Sequence, residues 1–211
     1  MWNWTETEIE LVLMRHGSTK SNEEHRYLGK ADESLSQNGR EQLQQAKQAG
    51  RYPDVDFLYV SPMKRCLETA DLLYPGQKRE IIPVWNEMDF GAFEGKNYQE
   101  LSGDARYQVW IDSNGTLPFP EGESREDFVK RNAKGFAFMM RDVEQQLSEK
   151  AEGHIRIGAV VHGGTIMSVL STFGDGDYFD YQIKNGDGWR GSVSGTDEGV
   201  RITDLKKLTE N

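Results

Sequence analysis

The chain has 211 residues with 36% hydrophobic and 28% charged side chains, enough for one packed domain and too apolar and too mixed in charge for global disorder. Its formal net charge of −10 excludes a general nucleic-acid or anionic-membrane binder, which needs a basic face, but leaves room for an anionic small molecule in a local basic pocket. A single cysteine, Cys66, rules out an internal disulfide and a Cys-x-x-Cys metal motif. The N-terminus lacks a signal-peptide pattern, no apolar stretch reaches membrane-spanning length, and a cytoplasmic location is expected.

In chain order, Ile9 to Met14 is a nearly continuous apolar run and predicts a buried strand. Ser36 predicts the cap of a helix to about Ala49, with Gly50 as its stop. Asp56 to Val60 predicts a second strand, and Ser61-Pro62 the cap and first position of the next helix. Ile81 to Trp85 reads as a third, weaker strand. The Gly- and Pro-rich stretch 86–123 predicts loops and short helices, with a lid insertion at about 96–123. Ser124 predicts the cap of a long helix to about Leu147. Ile155 to Val161 reads as another strand, broken by Gly163-Gly164 and followed by a helix over Thr165 to Thr172. The segments Tyr181–Ile183, Trp189–Val193 and Val200–Leu205 predict short antiparallel edge strands. The expected fold is α/β: a three-layer α/β/α domain spanning 1–211, with a mostly parallel central sheet and an antiparallel edge.

Chemistry-bearing residues follow the predicted strands, where ligands gather in open α/β sheets. Arg15-His16-Gly17 follows the first, with a planar guanidinium suited to phosphate oxygens and an imidazole that can attack phosphorus while neutral. Gly17 is read as permitting close backbone approach. Ser61-Pro62-Met63-Lys64-Arg65 follows the second strand, and His162-Gly163-Gly164-Thr165 follows the run ending at Val161, ahead of a helix whose N–H groups favour an anion. Glu87 stands in Asn86-Glu87-Met88-Asp89-Phe90-Gly91. Each alone has a plain alternative: a structural Arg-His pair, an incidental turn histidine, a surface arginine, a solvated glutamate. The four histidines show no paired-ligand spacing, and Asp175-Gly176-Asp177 fails as a calcium loop, so neither metal nor cofactor is expected.

Taken in order, these motifs resemble the histidine phosphatase superfamily, also called phosphoglycerate mutase-like, from about Glu8 to Leu205. Further matching segments are Asn22, Tyr27-Leu28-Gly29, Leu35-Ser36, Thr69-Ala70 and Pro120-Glu121-Gly122-Glu123-Ser124. The resemblance implies His16 as the transiently phosphorylated nucleophile, Glu87 as proton donor, and Arg15, Arg65, His162, Asn22 and Gly163 around the phosphate. Tyr98, Arg106, Tyr107 and Trp110 in the insertion are candidates for choosing the substrate, or simply for packing the lid. Ser18, Ser34 and Cys66 depart from the usual Glu or Gln, Pro and Ala. The segments around Glu87 and Glu121 look most like small bacterial phosphatases, a group that includes α-ribazole-5′-phosphate phosphatases. The implied partner is a small phosphorylated metabolite. The alternatives are a cofactor-dependent phosphoglycerate mutase and a catalytically weak binding or regulatory module.

Overall fold

The structure is a computed structural model that describes residues 7–147, 153–196 and 199–209. Its sheet is built on strand β1 (Thr7–Arg15), whose residues 11–14 are apolar toward both faces. Strand β4 (Gly153–Val161) lies parallel beside it, then β2 (Phe57–Val60) and the short β3 (Glu80–Ile81), also parallel. On the other side of β1, β5 (Gly188–Thr196) and β6 (Gly199–Lys207) run antiparallel, giving a six-stranded order β3-β2-β4-β1-β5-β6. The expected three-layer α/β/α arrangement, mostly parallel with an antiparallel edge, is what forms.

The two faces are covered by different helices. Ile9, Leu11 and Leu13 of β1 pack with Phe136, Met139, Met140 and Val143 of helix α6 (Arg125–Gln146) and with Ile166, Val169 and Leu170 of α7 (Gly163–Phe173). Val12 and Met14, pointing the other way, meet Leu43 of α2 (Gln37–Gln48) and Cys66, Ala70 and Leu73 of α3 (Lys64–Leu73). A third cluster, of Met88, Phe93, Leu101, Phe119 and Phe128, joins the segment after Glu87 to the insertion. The remaining helices are short: α1 (Lys20–Glu23), α4 (Tyr98–Leu101) and α5 (Ala105–Asp112).

Capping follows the local chemistry. Ser36 and Ser124 accept hydrogen bonds from Gly39 N–H and Asp127 N–H, as expected of N-caps. Other expectations need correction. The strand expected over Ile81 to Trp85 stops at Ile81, because Pro83 cannot donate to a ladder and instead opens a 3₁₀ turn, Pro83–Trp85. Tyr181–Ile183 is not a strand: a capping box between Asp177 and Asp180 winds Tyr178–Tyr181 into a 3₁₀ turn. Gly163-Gly164 does not separate strand from helix, since α7 begins at Gly163.

Helix α6 also sets where the segment bearing Glu87 lies. Trp85 is fully buried, and its indole N–H donates to Asn132 O at 3.3 Å. Gly135, one turn on, leaves the space the indole fills, and a Cβ there would overlap the ring. Gly135→Ala should therefore destabilise by about 1–3 kcal/mol from overpacking, despite the roughly 1 kcal/mol that alanine gains in helix propensity. A denaturant midpoint equal to or above that of the parent would contradict this packing account.

Candidate active site

The carboxyl ends of three neighbouring strands deliver the site. Arg15 closes β1, and the His16 N–H donates to Val161 O at 3.0 Å, tying the two strand ends together. His16 and His162 are both buried, their ring centroids 5.2 Å apart with planes at 69°. Gly17 plays a different part from the one expected. A Cβ there would run into Leu43 and Leu35, so glycine lets α2 close over the loop, while its N–H donates to Thr69 Oγ1 at 3.0 Å.

The hydrogen bonding assigns the His16 tautomer. Its Nδ1 lies 2.7 Å from the Gly17 carbonyl oxygen, which can only accept, so Nδ1 carries the proton and Nε2 keeps the lone pair. Burial, reinforced by the guanidinium groups of Arg65 and Arg15, holds the His16 pKa well below the ordinary histidine range. The same forces, burial first and then Arg65, His16 and Arg15, hold His162 neutral as well.

Arg65, in the first turn of α3, is fully buried. Its terminal nitrogens donate to Gly29 O at 3.0 Å and Ala31 O at 2.9 Å. That loop is held from below by Glu94, whose Oε1 accepts from Gly29 N–H at 2.8 Å and Ala31 N–H at 3.1 Å. Arg15 donates from Nη1 to Ile183 O at 2.7 Å. The Nε–H of each arginine is buried and has no acceptor among the described residues. Two such orphan donors are costly unless an anion is there to accept them.

Ser61 does not cap α3. The N-cap position is Met63, and Asp32 Oδ1 accepts the Lys64 N–H at 2.7 Å. The Ser61 hydroxyl is instead 2.8 Å from His162 Nε2. His162 Nδ1 faces Glu87, 3.8 Å from its Oε2. The other Glu87 oxygen accepts from Met88 N–H at 2.9 Å. Burial raises the Glu87 pKa above the ordinary carboxylate value, although Arg65, Arg15 and Arg131 pull against it. Arg131 on α6 clamps this segment, donating to Val84 O at 2.6 Å, Asn86 O at 2.7 Å and Glu87 O at 3.0 Å while pairing with Glu123. Cys66 lies 3.7 Å from His162 Nε2, and burial pushes its thiol up to about 12, so it is no thiolate nucleophile.

A cavity of about 260 Å³ opens beside this cluster, with Arg15, Glu87 and Gly163 on its floor and Tyr27, Phe90, Trp110, Phe119, Tyr178 and Phe179 in its walls. Of the four insertion residues considered for specificity, only Trp110 lines it. Tyr107 packs one layer behind, its ring 5.3 Å from Phe93. Arg106 pairs with Asp104 and Glu121 on the surface, and Tyr98 is 59% exposed, away from the cavity. Asn22 is joined to the His16 loop through Asn185. Its carboxamide oxygen accepts from Thr19 N–H at 3.2 Å and Asn185 Nδ2 at 3.1 Å, and it faces a wider cleft that also borders Arg15. Asn185, absent from the sequence-based set, donates to His16 O at 3.2 Å.

Among the described residues no cluster of three or more His, Cys, Asp or Glu is arranged to hold a metal, and no helix is long and apolar enough to cross a membrane.

A family model described as histidine phosphatase superfamily (branch 1) matches residues 11–187. The 2,3-bisphosphoglycerate-dependent phosphoglycerate mutase of Corynebacterium diphtheriae is 27% identical over 211 aligned residues, covering 85% of this chain and 84% of that protein. Among solved structures, TTHB049 from Thermus thermophilus is 29% identical with a TM-score of 0.62, covering 93% of this chain and 97% of its own. A putative alpha-ribazole-5′-P phosphatase from Escherichia coli is 23% identical with a TM-score of 0.74, covering 94% and 96%. The likeness to this last protein is one of fold.

Proposed function

Because the chain belongs to the histidine phosphatase superfamily, we propose that it is a phosphomonoesterase that works through a phosphohistidine at His16. The observation that carries this reading is the pair of neutral, buried imidazoles beside two guanidinium groups that each keep a buried, unused Nε–H. In the reaction, the His16 Nε2 lone pair forms a bond to phosphorus as the ester P–O bond breaks. Arg15, Arg65 and His162 bind the equatorial oxygens, and α7 offers the N–H of Gly163. The protonated Glu87 gives its proton to the departing alkoxide. Water then attacks phosphorus, Glu87 takes its proton, and the P–N electron pair returns to Nε2. The charge that a resident metal supplies in other phosphoryl-transfer sites comes here from the two guanidinium groups. Asn22 acts through Asn185 on the His16 loop, and the insertion at about 96–123 roofs the cavity as a lid, with Trp110 as its contact to substrate.

The substrate is a small phosphorylated metabolite, and α-ribazole 5′-phosphate is a leading member of that class. The sequence around Glu87 and the fold likeness to the Escherichia coli protein support it. Phosphoglycerate mutase activity is the second reading, favoured by the 27% identity to the Corynebacterium diphtheriae mutase. A panel of phosphorylated metabolites, including α-ribazole phosphate, sugar phosphates and both phosphoglycerates with a bisphosphoglycerate primer, separates them. Phosphate release should exceed interconversion of the phosphoglycerates. Interconversion outrunning release would put the mutase reading first.

A further inference from the structure

We propose that Arg125 selects the substrate by binding a second anionic group on its alcohol portion, at the far end of an apolar body held by the aromatic walls. The proposal rests on the phosphomonoesterase reading and names the class of ester it takes.

The cavity has few charged groups. Arg15 and Glu87 belong to the phosphoryl end, and the remaining charged wall residue is Arg125. Its guanidinium lies over two rings, 5.7 Å from the Tyr178 centroid and 5.6 Å from that of Phe179. It has no ion pair or side-chain hydrogen bond among the described residues. The nearby carboxylates are committed elsewhere: Glu121 to Arg106, Glu123 to Arg131, Glu126 to Lys130, and Asp127 to the Ser124 hydroxyl.

Its position is also unfavourable for folding. Arg125 is the first residue of α6, where the helix dipole disfavours a cation. The Tyr178 and Phe179 rings hold the guanidinium against the cavity wall, and its N–H groups are left for an oxyanion brought by a ligand. The body between the two ends meets Tyr27, Phe90, Trp110 and Phe119, and Phe179 stands 59% exposed at the mouth. Such a wall takes a flat or apolar surface.

The test compares kcat/KM for phenyl phosphate, 4-carboxyphenyl phosphate and 1,4-phenylene bisphosphate in the parent, Arg125→Gln and Arg125→Lys. Differences in leaving group cancel when each ester's ratio to phenyl phosphate is compared between variants. The preference for a charged ester should fall roughly tenfold in Arg125→Gln, mainly through KM, and be partly kept in Arg125→Lys. Whether carboxylate or phosphate shows the larger change identifies the anion. Equal ratios in parent and Arg125→Gln, with turnover intact, overturn the role of Arg125 alone. No turnover of any ester by the parent removes the phosphomonoesterase reading and this proposal with it.

Discussion

Replacing His16 by alanine is expected to lower kcat/KM for every phosphomonoester by at least about 10⁴-fold, the scale on which enzymes lose a covalent nucleophile. The size follows from geometry. His16 is the imidazole whose Nδ1 is committed to the Gly17 carbonyl, so its Nε2 is available. His162 cannot substitute, because its Nε2 is 2.8 Å from the Ser61 hydroxyl and its Nδ1 faces Glu87. Brief incubation with a phosphomonoester, followed by denaturation in base, should leave acid-labile phosphate on the parent and none on His16→Ala. His162→Ala should lower the rate less and still label, because it removes a hydrogen bond to the phosphoryl oxygens while the nucleophile stays. Stoichiometric label on His16→Ala would move the nucleophile elsewhere and end this mechanism. The substitution also removes a buried neutral imidazole with its hydrogen bond to the Gly17 carbonyl, so unchanged thermal melting is needed before the loss is assigned to chemistry.

How much of this was legible beforehand depends on whether a residue's role is local. His16 and His162 could be placed because apolar runs end immediately before them, and strand ends are where an α/β sheet presents its ligand. Arg65 followed in the same way from the run ending at Val60. Glu87 sits on no strand end. Pro83 turns the chain into a 3₁₀ segment, and Arg131 on α6, more than forty positions away, grips the carbonyls that aim it. No periodicity announces such a clamp. The walls of the cavity were equally hidden: Arg125, Tyr178 and Phe179 come from a helix start and a 3₁₀ turn that meet only in the folded chain. Arg106 and Tyr98 looked apt by residue type and location in the insertion, but Arg106 is occupied by its own neighbours and Tyr98 points outward. Ser61 carried a cap signature, yet its hydroxyl went to His162, a contact between residues 101 apart in the chain.

Glu87→Gln is expected to cost about 10²–10⁴-fold in kcat on alkyl phosphates, the usual contribution of a positioned general acid. It should cost far less on 4-nitrophenyl phosphate, whose leaving group departs without a proton. The pH dependence gives an independent check. Burial lowers the His16 pKa, so the nucleophile stays unprotonated as pH falls below the ordinary histidine value, and the acid limb of the rate should lie below that value. Burial raises the Glu87 pKa, so its carboxyl keeps the proton above the ordinary carboxylate value and loses it as pH rises further. The alkaline limb on alkyl phosphates should therefore report Glu87. Ionisation of the substrate's own phosphate also falls near this range, but that limb would be shared by parent and Glu87→Gln. Loss of the alkaline limb in Glu87→Gln, together with the flattened dependence on leaving group, assigns the proton to this carboxyl. The same alkaline limb in both proteins would assign it to another group and leave Glu87 as a partner that only orients His162.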